Sequence, residues 1–154
     1  MTQPNEDTSE QEFRITADQL LSFDDPGRDK LEEFRIGDLS REFGVTLRTL
    51  RFYEDRGLLS PERRGTTRIY SRRDRMRLRL VLLAKILGFS LTEAKQLIDL
   101  REQSDGQRKQ LKTALVRFEE QRQILQDQKR EIEESLEAMR LTTDFVQNCL
   151  TKLG

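Results

Sequence analysis

Apolar positions recur along the chain at three spacings, and each spacing predicts a different element. Ile36, Leu39 and Phe43 follow a helical interval, and Gly44 closes that helix. Thr46 is a good N-cap for a second helix from Leu47 to Arg56, and Gly57 can take the left-handed conformation just past its end. Helix, tight turn and helix over about 20 residues is a helix-turn-helix pattern. From Arg63 to Tyr70 the pattern shifts to alternation, which predicts a hairpin with its tip at Gly65-Thr66. Ser71 with Asp74 forms a capping box for a third helix, Arg72 to Leu87, ended by Gly88. Ser90 with Glu93 caps a fourth, Leu91 to about Leu100.

A third pattern begins near residue 106. Leu111, Leu115, Phe118, Arg122, Leu125, Lys129, Ile132, Leu136 and Met139 alternate at spacings of four and three, a heptad seam on one helix predicted over 106–140. Arg122 and Lys129 can pack their stems while their charges reach water. An isolated amphipathic helix of this length exposes an apolar stripe, so a partner is expected. The same helix of a second subunit fits best, which makes Leu111, Leu115, Phe118, Leu125, Ile132, Leu136 and Met139 the candidate dimerisation residues. Folding back onto its own domain is the weaker alternative. Thr142-Thr143-Asp144 is read as the start of a short final helix.

Residues 1–33 look different. The stretch from Thr2 to Glu12 is polar and acidic, the composition of a disordered leader. One short helix is predicted within it, with Thr16 as N-cap and Gln19 at the third helical position, broken by Asp24-Asp25-Pro26-Gly27. The second reading of the leader is an acidic arm that competes with DNA. The chain therefore divides into an acidic, largely disordered extension (1–33), a winged helix-turn-helix domain (34–103), a coiled-coil helix (104–141) and a short C-terminal helix or tail (142–154).

Composition narrows the function. Of 154 residues, 36% are charged and 34% hydrophobic, too polar for one compact core and suited to a small domain carrying a solvated helix. The net charge of zero conceals a net −7 over residues 1–33 and a net +8 over residues 34–101. With no His, histidine catalysis and histidine metal sites are excluded; the single Cys149 forms no internal disulfide and reads as a small packing residue of the last helix. The longest apolar run, Leu80 to Ala84, is far too short to span a membrane, and the N-terminus has no apolar signal segment. A soluble, cytoplasmic, non-enzymatic protein without metal or cofactor is expected.

The basic segment predicts the chemistry. On a helical wheel Leu47, Leu50 and Tyr53 share one side of the second helix, while Arg48, Arg51, Phe52 and Asp55 fan out opposite. A short helix led by two arginines fits a DNA major groove, where Arg pairs bidentately with guanine or clamps phosphate. Arg63, Arg64, Arg68 and Tyr70 give the hairpin the character of a wing. The third helix starts with Arg72-Arg73 and continues with Arg75, Arg77 and Arg79, adding a third phosphate-seeking element. The candidate DNA-binding set is Thr46, Arg48, Thr49, Arg51, Phe52, Tyr53, Arg63, Arg64, Arg68, Tyr70 and Arg72.

These residues carry a family resemblance. Ile36-Gly37-Asp38-Leu39, Val45-Thr46-Leu47-Arg48-Thr49-Leu50-Arg51-Phe52-Tyr53-Glu54, Gly57-Leu58-Leu59, Arg68-Ile69-Tyr70-Ser71 and Leu87-Gly88-Phe89-Ser90-Leu91 resemble the MerR family of bacterial transcription regulators. The resemblance implies a mainly α protein: a winged helix-turn-helix DNA-binding domain followed by a long helix that dimerises as an antiparallel coiled coil. It implies a homodimer on a palindromic promoter, which it bends and untwists under effector control so that RNA polymerase engages both promoter elements. Phe52 stands where many members have Tyr, which removes a hydroxyl.

The segments Arg51 to Pro61, Asp74 to Leu80 and Lys85 to Leu91 further resemble the branch controlling branched-chain amino acid and acyl-CoA catabolism, which implies a CoA thioester as small-molecule effector. Metal-sensing members pair cysteines around the long helix, whereas this chain has Ser104 before it and only Cys149 after it. The alternative function is an effector-independent architectural or repressive DNA-binding dimer. A coiled-coil module for a protein partner is a further class, and the basic winged segment argues against it.

Overall fold

The computed structural model describes residues 15–22, 31–103 and 106–154. They form two compact units, one drawn from residues 1–86 and 90–98, the other from residues 87–89 and 99–154. In chain order the elements are α1 (Ala17–Leu21), β1 (Glu33–Arg35), α2 (Ile36–Phe43), α3 (Leu47–Asp55), β2 (Glu62–Arg64), β3 (Thr67–Ser71), α4 (Arg72–Ile86), α5 (Leu91–Glu102) and α6 (Gln107–Leu153).

In the first unit, Gly44 (φ 64°) makes the turn between α2 and α3 in the left-handed region that a side chain resists. Thr46 caps α3 by accepting a hydrogen bond from the Thr49 N–H at 3.1 Å. The three strands form an antiparallel sheet in the order β1-β3-β2. Asp74 ties the sheet to α4: its carboxylate accepts from the N–H of Ser71 at 3.2 Å and from that of Ser60 at 2.9 Å. The core gathers Phe34, Leu39, Phe43, Leu50, Tyr53, Leu58, Leu59, Tyr70, Leu78 and Val81 around α4.

The fold departs from the sequence reading in two places here. The sequence pattern does not predict β1, which crosses the expected boundary at residue 33. Its only apolar residue lies between two charged ones, so the strand owes its existence to the edge of β3, where Phe34 lies opposite Tyr70. The second departure is α1. Its capping box forms as predicted, with Gln19 N–H donating to Thr16 Oγ1 at 3.3 Å and Thr16 N–H to Gln19 Oε1 at 2.8 Å. This helix is no part of a disordered leader, because Leu20 is 1% exposed and joins the core. The remainder of the expected leader, residues 1–14 and 23–30, lies outside the described residues. Leu20→Ala should lower stability by about 2–3 kcal/mol in urea denaturation. A loss below about 0.5 kcal/mol would mean that α1 is not docked in solution.

The second unit is dominated by α6, one helix of 47 residues and about 70 Å. The turn at 87–89 packs on it. Gln121 Nε2 donates to the Leu87 carbonyl at 3.0 Å, and the rings of Phe89 and Phe118 lie 6.0 Å apart. At Gly88 (φ +84°) a Cβ would meet Gln121 Nε2 at 2.9 Å and Leu125 Cδ2 at 3.5 Å, which explains a glycine there. The separate final helix expected from Thr142 is not formed, since α6 runs unbroken to Leu153. The Thr142 hydroxyl donates to the Ala138 carbonyl at 2.7 Å instead of capping a new turn. The four-and-three seam continues with it through Thr143, Val146, Leu150 and Leu153.

Candidate nucleic-acid interface

α3 presents the face expected of a reading helix. Leu50 and Tyr53 are buried, while Arg48, Arg51 and Phe52 are exposed. Among the described residues, Arg48 and Arg51 make no ion pair, so both guanidinium groups are available to an anion. The Phe52 ring, 42% exposed, lies under the Arg56 guanidinium at 5.1 Å from its centroid, and this stacking holds it at the surface. Leu47 does not join the core side as the wheel suggested; it is 41% exposed, because it lies in the first turn of α3. The hydroxyls of Thr46 and Thr49 lie 2.9 Å apart and serve the cap.

The β2–β3 hairpin turns at Gly65-Thr66 as expected and forms the wing. Cross-strand pairing sorts its side chains, since directly opposed residues share a face. Arg63, Arg68, Phe34 and Tyr70 occupy one face, and Glu62, Arg64, Thr67, Ile69, Arg35 and Glu33 the other. On the first face Arg68 Nε donates to Glu54 Oε2 of α3 at 2.8 Å, and Arg63 Nη2 to Glu54 Oε1 at 3.4 Å. One carboxylate thus fastens the wing to the reading helix. On the second face Arg64 holds Glu33 end-on, with Nη2 to Oε1 at 2.6 Å and Nη1 to Oε2 at 3.0 Å. Its Nε lies 3.6 Å from Glu62 Oε1. This bidentate contact holds the Glu33 carboxyl below the usual carboxylate range. A groove of about 350 Å³ runs along the same face, lined by Glu33, Arg35, Arg64, Thr67 and Ile69.

Other predicted contacts need correction. Tyr53 and Tyr70 are core residues and present no ring to a ligand. Burial raises both phenol pKa values; at Tyr70 the nearby Glu54 charge adds to the rise. The Tyr70 hydroxyl has no hydrogen-bond partner among the described residues. Arg75, Arg77 and Arg79 are buried too, and none contributes to a phosphate-seeking surface. Arg75 Nε donates to Glu42 Oε1 at 3.0 Å with its guanidinium 5.5 Å from the Phe34 ring centroid. Arg77 Nε donates to the Leu58 carbonyl at 2.6 Å, and Arg79 Nη1 to the Ser22 carbonyl at 2.6 Å. The sequence held a signal. Arginines two residues apart are rotated by about 200° on a helix, so this run cannot line one solvent stripe. Arg72 and Arg73, at the start of α4, are exposed.

The expected dimer residues Leu111, Leu115, Phe118, Leu125, Ile132, Leu136 and Met139 are all exposed in the single chain, with Phe118 and Leu125 lying beside the 87–89 turn. Cys149, expected to be packed, is exposed as well. Among the described residues no three His, Cys, Asp or Glu side chains gather into a metal-binding group, and no helix is long and apolar enough to cross a membrane. The residues that sequence reasoning missed are Glu33, Glu54 and Glu62, which meet the wing arginines only once the sheet is folded.

Two helices joined by a tight turn, followed by a β-wing clamped to the second helix, define a winged helix-turn-helix protein. Residues 34–100 match the family described as MerR HTH family regulatory protein. The HTH-type transcriptional regulator HmrR of Rhizobium leguminosarum bv. viciae is 42% identical over 71 residues, which cover 46% of this chain and 55% of that protein. The mercuric resistance operon regulatory protein of Serratia marcescens is 42% identical over 72 residues, 46% of this chain and 50% of that protein. The chain thus spans about half the length of these curated relatives. Among solved structures, a MerR family transcriptional regulator from Bacillus cereus has 28% identity and a TM-score of 0.63, covering 75% of this chain and 83% of that chain. HiNmlR, a MerR family regulator lacking the sensor domain and bound to promoter DNA, has 25% identity and a TM-score of 0.50, covering 68% of this chain and 79% of that chain.

Proposed function

We propose that this protein is a DNA-binding transcriptional regulator that acts as a homodimer on a palindromic promoter. The observation that carries the reading is the exposed Arg48–Arg51 face of α3, set beside a wing that Glu54 fastens to the same helix. Arg48 and Arg51 read base edges, the wing and Arg72 meet phosphates, and the seam of α6 pairs two copies. Two reading helices held at a fixed separation bend and untwist the promoter, which changes its fit to RNA polymerase. The capture of HiNmlR on promoter DNA supports the assignment of this domain to duplex DNA.

Effector control is the first reading. A CoA thioester is the effector class to test first, because of the sequence likeness to the branch controlling acyl-CoA catabolism. Its mark is a change in promoter output at unchanged DNA occupancy. The second reading, an effector-independent architectural or repressive dimer, is favoured by one observation: the DNA-bound relative HiNmlR is itself described as lacking the sensor domain.

The DNA reading is tested with a site selected from a randomised duplex library. Arg48→Ala should weaken the selected site at least about tenfold, the range for a lost base contact, and leave a scrambled duplex within about twofold. Equal loss on both duplexes in fluorescence anisotropy would overturn base reading by Arg48.

A further inference from the structure

We infer that Glu33 masks the wing: its carboxylate occupies the fork of Arg64 that a DNA phosphate would take, so a duplex must displace it or forgo that contact.

The inference rests on the DNA-binding reading and begins with a charge count. The wing supplies three arginines, Arg63, Arg64 and Arg68, and the folded chain meets them with three glutamates, Glu33, Glu54 and Glu62. A wing that is cationic in sequence is therefore neutral in place. The two pairings differ in kind. Glu54 and Arg68 are mostly buried and belong to the joint between wing and α3. Glu33 and Arg64 each keep about half of their side chain exposed, so that pair can open without dismantling the core.

Its geometry is that of an anion site already filled. Both terminal nitrogens of Arg64 donate in parallel to the two carboxylate oxygens of Glu33, the arrangement by which arginine grips a phosphate. Glu62 sits 3.6 Å from the remaining Nε. A phosphate reaching Arg64 must displace Glu33 and then lie near an unpaired carboxylate. On random duplex the exchange brings no base contact with it, and the pair stays closed. On a cognate site α3 has set the wing against one particular phosphate, and the exchange goes through. Glu33 thus lowers affinity for both: on random DNA by the contact forgone, on the cognate site by the larger cost of opening the pair.

The test uses the full chain, one duplex of mixed sequence and one selected from a randomised library, across a salt series. Glu33→Gln keeps the shape and removes the charge; Glu33→Ala is the second variant. Both should bind the mixed duplex about three- to tenfold more tightly, with a salt slope steeper by about one, as for one extra phosphate contact. The selected site should gain at least as much with its salt slope unchanged, because its phosphate contact forms with or without Glu33. Glu32→Gln, the same charge change one residue away, should give a much smaller gain, and Arg64→Ala combined with Glu33→Gln should abolish it. An unchanged mixed-duplex affinity in both Glu33 variants, an equal gain from Glu32→Gln, or a gain that survives Arg64→Ala would overturn the inference while leaving the DNA-binding reading intact. Failure of the wild-type chain to bind any duplex in a salt-dependent way would overturn both.

Discussion

Ile132→Glu is expected to turn the protein into a monomer in sedimentation velocity and to abolish binding to a selected palindromic site. Ile132 lies in the seam of α6 and is 60% exposed in the single chain. It is well clear of Phe118 and Leu125, the seam residues beside the 87–89 turn, so the substitution removes a pairing surface and no contact of the chain's own turn. The seam places Leu111, Phe118, Leu125, Ile132, Met139, Val146 and Leu153 at one heptad position, all apolar. The other heptad position holds Leu115, Arg122, Lys129, Leu136, Thr143 and Leu150.

That asymmetry favours an antiparallel pair. In a parallel pair Arg122 would face Arg122 and Lys129 would face Lys129, two like-charge layers; in an antiparallel pair each cation meets the apolar row. An antiparallel pair overlapping along the full length of Gln107–Leu153 has its twofold axis near the middle of the helix, where Ile132 of each copy meets Lys129 of the other. Two glutamates there lose about 2 kcal/mol of apolar burial each and desolvate two carboxylates, a cost that the facing Lys129 offsets only in part. The dimer should weaken at least about 100-fold, since each 1.4 kcal/mol is about tenfold. Ile132→Leu should keep the dimer. An Ile132→Glu variant that dimerises as tightly as the wild type would remove this seam from the interface.

Whatever depends on a few neighbouring residues could be read directly from the chain. The capping box of Thr16 and Gln19, the cap at Thr46, the hairpin tip at Gly65-Thr66 and the box of Ser71 and Asp74 all stand where local chemistry puts them. The features that stayed hidden depend on partners distant in sequence. β1 has no pattern of its own and exists as the neighbour of β3. Tyr53 is buried on the side of α3 that the wheel shares with Leu50, whereas the ring of Tyr70, grouped with the wing, fills the core against elements that no single strand specifies. The candidate interface was legible in its helix and opaque in its wing. Arg48 and Arg51 sit on the exposed face that periodicity assigns them. Arg63, Arg64 and Arg68 looked like free cations because their carboxylates come from α3, from β1 and from within β2.

Arg75 shows most sharply why a basic run does not amount to a basic surface, and its removal should cost more than that of any exposed arginine. It emerges from α4 into the core, donates two nitrogens to Glu42 of α2 and lays its guanidinium near Phe34 of β1. One side chain therefore joins three elements. Both partners of the pair are about nine-tenths buried. Arg75→Ala leaves the Glu42 carboxylate without this partner where water reaches poorly, a situation that costs about 3–5 kcal/mol. It also removes the aliphatic stem and the contact with Phe34. Chemical denaturation at matched protein concentration should show that loss, together with a lower melting temperature. The double variant Arg75→Met with Glu42→Leu should recover most of it, because apolar residues of similar volume replace a buried ion pair at little cost. Arg140, which pairs with Glu137 and Asp144 on the exposed surface of α6, provides the contrast. Solvent screens its pairs, and Arg140→Ala should leave stability nearly unchanged. A loss at Arg75→Ala as small as that at Arg140→Ala would mean that the Glu42 pair is solvated and that α4 is not the centre of the core.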